Sequence, residues 1–219
     1  MCSSDLRDVD LIRRRLASRS GVDHSRLRRG DLTPQQWARL SAAAGELATQ
    51  PIEVSKAFTS IVEFESGVRL WRASKTDPSR PALAAVDYLQ LLTPPPSTGR
   101  RDRNREQEVR EMSNRLKGLA IELNLAMIVL SQLNRAGADG EPSMRHLRDS
   151  GSIEQDADII AFIMRKGSKA KLKIDKQRNG PVGKIPLLFD AEHVRFLDDS
   201  AQARLPPAPP DHLLDEEVA

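Results

Sequence analysis

An α/β fold, with a mostly parallel sheet flanked by helices and finished by an antiparallel hairpin, is the class this sequence predicts, and three features predict it. Apolar runs of strand length at 82–92 and 126–132 are separated by a long helical pattern at 105–124, the strand-helix-strand order that produces parallel sheets. A third apolar run, "DIIAFIMR", opens at Asp158. After it, alternating Leu172 and Ile174, a turn at Asn179-Gly180-Pro181, and then Ile185, Leu187 and Phe189 read as the hairpin.

Taken in order, residues 7–20 place Val9, Ile12 and Leu16 at helical spacing, with arginines on the other face and Gly21 as a stop. Thr33-Pro34 is a cap followed by proline at a first helical position, and opens a helix through Trp37, Leu40 and Ala44. Pro51 to Val54 is short and apolar enough for a strand. Ser60 and Glu63 match a capping box, ahead of a helix carrying Ile61, Phe64, Val68 and Trp71. Polar residues 74–81 precede the run "ALAAVDYLQLL", and the proline-rich "TPPPSTGRRDRN" that follows cannot continue a sheet. Val109, Met112, Leu116, Leu119 and Leu123 form the stripe of the long helix, which leads into "AMIVLSQ" as the next strand. Residues 136–152 read as a loop, and the tail 199–219, rich in proline and acids, as disordered.

At 219 residues the chain is long enough to bury a core. With 39% hydrophobic and 30% charged residues it reads as a globular protein of the cytoplasm, with no apolar stretch approaching a membrane span. Cys2 is the only cysteine, which excludes an internal disulfide. The net charge of +3 hides an uneven distribution: from Arg165 to Lys184 there are eight Lys or Arg against Asp175 alone. Such a face suits phosphate contact, and equally suits a strand edge that lysines protect from pairing. Asp87 has two readings as well. An acid beyond a strand's carboxyl end can hold a metal ion or water against a nucleotide, or can cap a turn or pair with an arginine.

Four stretches taken together, "VDYLQLL", "RLKGLAIELNLAMIVLSQLNR", "LRDSGSIEQDADIIAFIMR" and "DKQRNGPVGKIPLLFD", resemble in order and spacing the C-terminal RecA-like motor domain of DnaB-like replicative hexameric DNA helicases. The resemblance runs from about Asp10 to Phe196, more weakly over 51–80. It implies ATP and Mg2+ as cofactors, single-stranded DNA as substrate, a homohexamer with nucleotide sites at subunit boundaries, and replication partners such as a primase or loader. By the same resemblance Asp87 is the magnesium-side acid and Gln132 the phosphate-sensing amide. Lys176 and Arg178 are the basic pair that reaches the neighbouring subunit's nucleotide, both expected on one face of a strand. Arg148, Asp149 and Gly151 fall on the DNA-contacting loop, before a helix expected to start at Ser152. Asp149 is shorter than the glutamate usual there and suits positioning Arg148. Lys169, Lys171 and Lys173 are expected to be solvated charges.

One part of that pattern does not occur in the 219 residues: the phosphate cradle G-x-x-x-x-G-K-[ST]. The nearest lookalike, Gly180 to Ile185, has Arg178 in the leading glycine position and Ile185 where the hydroxyl belongs, so it reads as a hairpin turn. In the family the cradle lies upstream of the helix matching residues 10–20. The opening "MCSSDL" (1–6) is therefore read as a non-native start, with 7–198 as a partial motor domain lacking its first strand and cradle. The alternatives are a remnant that binds DNA or a helicase ring without hydrolysing ATP, and a recombinase- or clock-type relative on the same fold.

Overall fold

The computed structural model of the protein describes residues 8–75, 77, 80–95, 104–133, 141–147 and 151–199. The chain divides into two compact units, one of 1–50, 165–171 and 185–219, the other of 51–164 and 172–184.

The first unit contains α1 (Asp8–Ser20), α2 (His24–Arg29) and α3 (Pro34–Ala48). Gly21 stops α1 as expected, at φ +65° with its N–H on the Ala17 carbonyl at 3.1 Å. The stripe expected to be buried does not lie inward: Val9 and Ile12 are half-exposed, and the buried positions of α1 are Ala17 and Ser20. Small residues let α1 and α3 approach, with Ala17, Val22, Leu40 and Ala43 buried and Arg19 hydrogen-bonded to Glu46 at 2.6 Å. The Thr33 cap is realised as a reciprocal box with Gln36, while Trp37 and Ala44 face outward. α2 has no counterpart in the sequence reading, because its residues "HSRLRR" carry no apolar stripe. It is made instead by its ends, with Asp23 capping Arg26 N–H and Gly30 closing it at φ +75°. Arg195 ties this unit together, donating to Asp190 at 3.0 Å and to the Ser18 carbonyl at 3.2 Å.

The second unit is built from α4 (Ile61–Ala73), β1 (Leu83–Val86), α5 (Arg105–Glu122), β2 (Ala126–Val129) and α6 (Gly151–Asp156). β1 and β2 pair in parallel, Leu83 opposite Ala126 through Val86 opposite Val129. α4 and α5 contribute Ile61, Phe64, Val68, Val109, Met112, Leu116 and Leu119 to one core with Val86, Leu89 and Leu92. The Ser60–Glu63 box forms as expected, and α5 buries Val109, Met112, Leu116 and Leu119 of the expected stripe, with Leu123 partly buried at its C-cap.

Three expectations change. β1 is shorter than the apolar run, which turns after Val86 into a 3-10 turn at Leu89–Leu91 so that Leu89 and Leu92 fill the core. Residues 51–59 form no strand, with Ile52 and Val54 half-exposed; the nearest pairing is a single bridge between Ser60 and Thr93. The loop expected at 136–152 contains a 3-10 turn at Met144–His146 and the start of α6. Residues 1–6, most of the proline-rich loop and the tail beyond 199 lie outside the described residues.

The remaining strands, β3 (Ile159–Lys166), β4 (Lys169–Gln177), β5 (Gly183–Asp190) and β6 (Arg195–Asp198), form one sheet in sequential order. Connections of two to five residues cannot make parallel crossovers, so this sheet is antiparallel. β5 and β6 pair that way from Leu187 opposite Asp198 to Asp190 opposite Arg195. The expected hairpin is thus the middle of a four-stranded sheet, and β3 belongs to it and not to the β1–β2 ladder. The cause is Gly167-Ser168, a two-residue turn with Gly167 at φ +63° that sends the chain straight back. The turn falls at Arg178 to Gly180, and Gly183 to Ile185 of the lookalike, expected in the turn, already belong to β5.

Alternate positions of β1, β2 and β3 point into the cores, whereas Leu83, Ile128, Leu130, Ile159 and Ile163 are 47–58% exposed. Among the described residues no helix is long and apolar enough to cross a membrane.

Candidate functional site

The β1–β2 register brings two carboxyl ends side by side; Asp87 directly follows β1, and Gln132 follows β2 after Leu130 and Ser131. Both are exposed. The Asp87–Tyr88 peptide is cis. Between the two ends lies a residue that the sequence reading gave no role. The Gln90 side chain donates from Nε2 to Ser131 Oγ at 2.9 Å and accepts the Gln132 N–H at Oε1 at 3.3 Å. Leu89 N–H donates to the Leu130 carbonyl at 2.9 Å in the same place. The turn after β1 is therefore stitched to the segment after β2, and the backbone carrying Gln132 is held to the backbone carrying Asp87. Gln90 stands in "VDYLQLL" beside the acid, but its contacts cross 41 and 42 residues and leave no local signal.

Asp87 offers an oxygen donor of the kind a hard divalent cation takes, alongside waters and phosphate oxygens. No group of three or more His, Cys, Asp or Glu able to hold a metal occurs among the described residues. The 219 residues contain no G-x-x-x-x-G-K-[ST] stretch.

Lys176 and Arg178 converge on α6. Lys176 Nζ donates to the Glu154 carbonyl, and Arg178 donates to the Gln155 carbonyl at 3.3 Å. Carbonyls at a helix's carboxyl end carry partial negative charge, which suits cations. The two do not share one strand face, as expected from alternation: β4 ends at Gln177, and Arg178 is the first residue of the turn. Arg178 N–H bonds the Asp158 carbonyl at 2.9 Å. Asp158 is a second residue that the sequence reading passes over. Its carboxylate takes Lys117 and Arg178, and the Lys117 hydrogen bond holds it below the usual carboxylate range, with the charges of Lys117, Arg178 and Lys176 adding to that. The only sequence signal for it is the acid-rich "EQDAD" ahead of an apolar strand.

Gly151 is exposed and opens α6 one residue before the expected start at Ser152. Ser152 is buried, its hydroxyl without a hydrogen-bond partner among the described residues. Arg148 and Asp149 lie outside the described residues. Of the lysines expected to be solvated, Lys169 and Lys171 are exposed. Lys173 is not: its side chain is 16% exposed, bound to Asp175 at 2.9 Å and Glu141 at 3.3 Å, and the Asp175 hydrogen bond raises its pKa.

The chain matches the family model described as DnaB-like helicase C terminal domain over residues 1–198. It is 37% identical over 220 residues to the replicative DNA helicase DnaB of Geobacillus stearothermophilus, covering 94% of this chain and 47% of that protein. It is 38% identical to the replicative DNA helicase DnaC of Bacillus subtilis (strain 168), covering 86% of this chain and 43% of that one. The chain thus spans about half the length of the curated relatives it matches. Among solved structures it is similar to one described as an ATPase domain, with TM-score 0.78, 30% identity, and coverage of 89% of this chain and 72% of that one. It is also similar to a DnaB-like replicative helicase described with its interactions with primase, with TM-score 0.77, 30% identity, and coverage of 88% and 48%. These neighbours have the RecA-like α/β fold that the sequence predicts.

Proposed function

Because this chain belongs to the DnaB-like helicase C-terminal domain family, we propose that it is motor-domain polypeptide of an ATP-dependent replicative DNA helicase, acting on single-stranded DNA in the cytoplasm within a homohexamer whose nucleotide sites lie between subunits. The observation that supports this reading is the parallel pairing of β1 and β2, whose carboxyl ends lead to Asp87 and to the segment of Gln132, with Gln90 of the turn after β1 bonded to Ser131 and Gln132. Ligands of open α/β sheets sit beyond that edge. Asp87 would hold Mg2+, directly or through water; the ion, when bound, neutralises phosphate charge. Gln132 is placed to hydrogen-bond a terminal phosphate and to lose that bond when the phosphate leaves. Its backbone, held by Gln90, passes the change to the turn after β1. Lys176 and Arg178 serve the neighbouring subunit's nucleotide, Arg178 as an arginine finger. Arg148 and Gly151 contact the DNA backbone, and Asp149 orients Arg148. The partner chemistry includes a primase, of the kind named with the structural neighbour, and a loader.

A second reading is favoured by one observation, the lack of a G-x-x-x-x-G-K-[ST] stretch in the 219 residues. On that reading the chain contributes its magnesium-side, trans-acting and DNA-contacting groups to a ring without gripping ATP itself. The two separate in a coupled-enzyme assay on the purified 219-residue protein. No ATP turnover is expected; turnover that disappears on Asp87→Ala would show that the chain grips ATP by itself.

Weak, salt-sensitive binding to single-stranded DNA is expected through the loop carrying Arg148. Fluorescence anisotropy across a salt series reads it: Arg148→Ala weakens binding and reduces the slope of log K against log[salt] by about 0.7, the share of one phosphate contact on a single strand. An unchanged affinity and slope would remove Arg148 from the interface.

A further inference from the structure

Three cations, Lys117, Lys176 and Arg178, come together at the end of α6, and the acid between them is Asp158. Each of its carboxylate oxygens serves one partner, Oδ2 receiving Lys117 from α5 and Oδ1 facing Arg178 at 3.3 Å. Its backbone carbonyl receives the Arg178 N–H at 2.9 Å, so Asp158 grips the same residue at main chain and side chain. α6 is fixed in turn to α5, where Ser113 donates to Asp156 at 2.7 Å. Without the carboxylate the three cations would face one another with only peptide carbonyls between them, an unfavourable arrangement even at surface dielectric.

We propose that Asp158 is a positioning residue for the trans-acting basic pair: it anchors the Arg178 guanidinium to α5 through Lys117 and to the carboxyl end of α6, presenting it outward in one orientation. This rests on the reading of Lys176 and Arg178 given above. A guanidinium has five N–H donors in a rigid plane, and the contacts with Asp158 and Gln155 engage one nitrogen each. The rest remain for a phosphate, and the side chain is 54% exposed. An arginine already held in place loses less freedom when it meets phosphate, the advantage of a preorganised group.

The test has a structural and a kinetic arm. In the purified chain, 15N relaxation of the Arg178 side-chain Nε–H reads its order directly. In wild type the order parameter is expected near about 0.85, falling below about 0.6 in Asp158→Asn, values that separate held from mobile groups. Lys117→Gln, which removes the link from Asp158 to α5 and keeps its contact with Arg178, lowers the order part-way. Should Asp158→Asn lose the folded amide spectrum, Asp158→Glu takes its place and lowers the order part-way. An Arg178 equally ordered in wild type and variant overturns the proposal.

For the kinetic arm, the chain is mixed into rings with subunits of a cradle-bearing relative whose own basic pair has been removed. Asp158→Asn is expected to lower kcat about 100-fold, the scale of a small misplacement, with KM for ATP within about twofold, and Asp158→Glu to recover part of it. If Arg178→Ala leaves turnover intact while Asp158→Asn still frees Arg178, the trans-acting reading fails and the positioning role stands. If Arg178→Ala stops turnover while Asp158→Asn changes neither kcat nor order, the positioning role fails and the trans-acting reading stands.

Discussion

Replacing Glu65 with alanine is expected to lower the free energy of unfolding by about 3 kcal/mol, while replacing Glu65 and Arg115 together, with leucine and methionine, costs less than about 1 kcal/mol. Glu65 is a buried carboxylate on α4, its side chain 8% exposed. It receives both fork nitrogens of Arg115 from α5, at 2.7 and 2.8 Å, with Arg69 at 3.6 Å. Arg69 in turn makes a two-point contact with Glu122, both bonds 2.8 Å. This network bridges α4 and α5 above the core of Ile61, Phe64, Met112 and Leu119. Removing one partner of a buried pair is costly, about 3–5 kcal/mol, because the other charge is left without compensation. The low end applies because Arg115 and Arg69 keep side-chain exposures of 33% and 43% and can turn to water. Leucine at 65 with methionine at 115 fills the same space and leaves no unpaired charge between the helices, and such replacements of whole buried pairs are often near neutral. Urea unfolding of the three proteins checks this, and single and double variants of equal stability would remove the network from the account of what holds the two helices.

The same network sets a pH dependence. The Arg115 hydrogen bond holds Glu65 below the usual carboxylate range, and the Arg69 hydrogen bond does the same for Glu122. A group whose folded pKa is depressed stabilises the protein above its unfolded value, about 4.3 for glutamate. That contribution is lost as the pH falls through the folded value. The wild type therefore loses stability below about pH 4.3 with a component that the Glu65→Leu variant lacks, read as converging urea midpoints in acid.

What the sequence reveals of this molecule follows from the range of the interactions involved. The Thr33 and Ser60 caps, the α5 stripe and the Gly21 stop are legible because each is made by residues within a turn or two of one another. α2 escapes because its ends are made by Asp23 and Gly30 and nothing between them is apolar in a pattern. Periodicity misplaces the buried side of α1 because it weighs Val9 and Ile12 above Ala17, whereas close helix approach prefers the small residue. An apolar run does not say which strand it pairs with, so β3 reads as part of the parallel sheet until Gly167-Ser168, a hairpin signal, decides otherwise. At the site, Asp87 and Gln132 are legible as strand-end residues within recognisable motifs. Gln90 and Asp158 are not, since what they do is defined by partners far away along the chain, 42 residues in the case of Gln90 and Gln132. Lys173 illustrates the same limit: in sequence it is one more lysine on a basic strand, and in the fold it sits between Asp175 and Glu141.

On the proposed trans-acting role, removing Arg178 is expected to slow ATP hydrolysis at the neighbouring subunit's site by about 10³- to 10⁵-fold, the largest loss predicted for any single substitution in this chain. Charge accumulates on the equatorial oxygens of a transferring phosphoryl group, and a guanidinium there can donate two parallel N–H bonds where an ammonium is a point charge. Arg178→Lys is therefore expected to recover little of the rate. Lys176→Ala loses less, because Lys176 is half-buried and spends a donor on the Glu154 carbonyl, whereas the Arg178 side chain is 54% exposed. The measurement is single-turnover hydrolysis in mixed rings, where the cradle belongs to a relative's subunit stripped of its own basic pair and every turnover reads this chain's side chains. ATP affinity in the same rings separates the two ways Arg178 can act. A residue that meets charge only in the transition state lowers kcat and leaves binding alone; one that grips the ground state raises KM at constant kcat. Turnover within a few-fold of wild type in Arg178→Ala, with both proteins incorporated equally, would leave the turn after β4 with no part in catalysis and the contacts with α6 as its whole role.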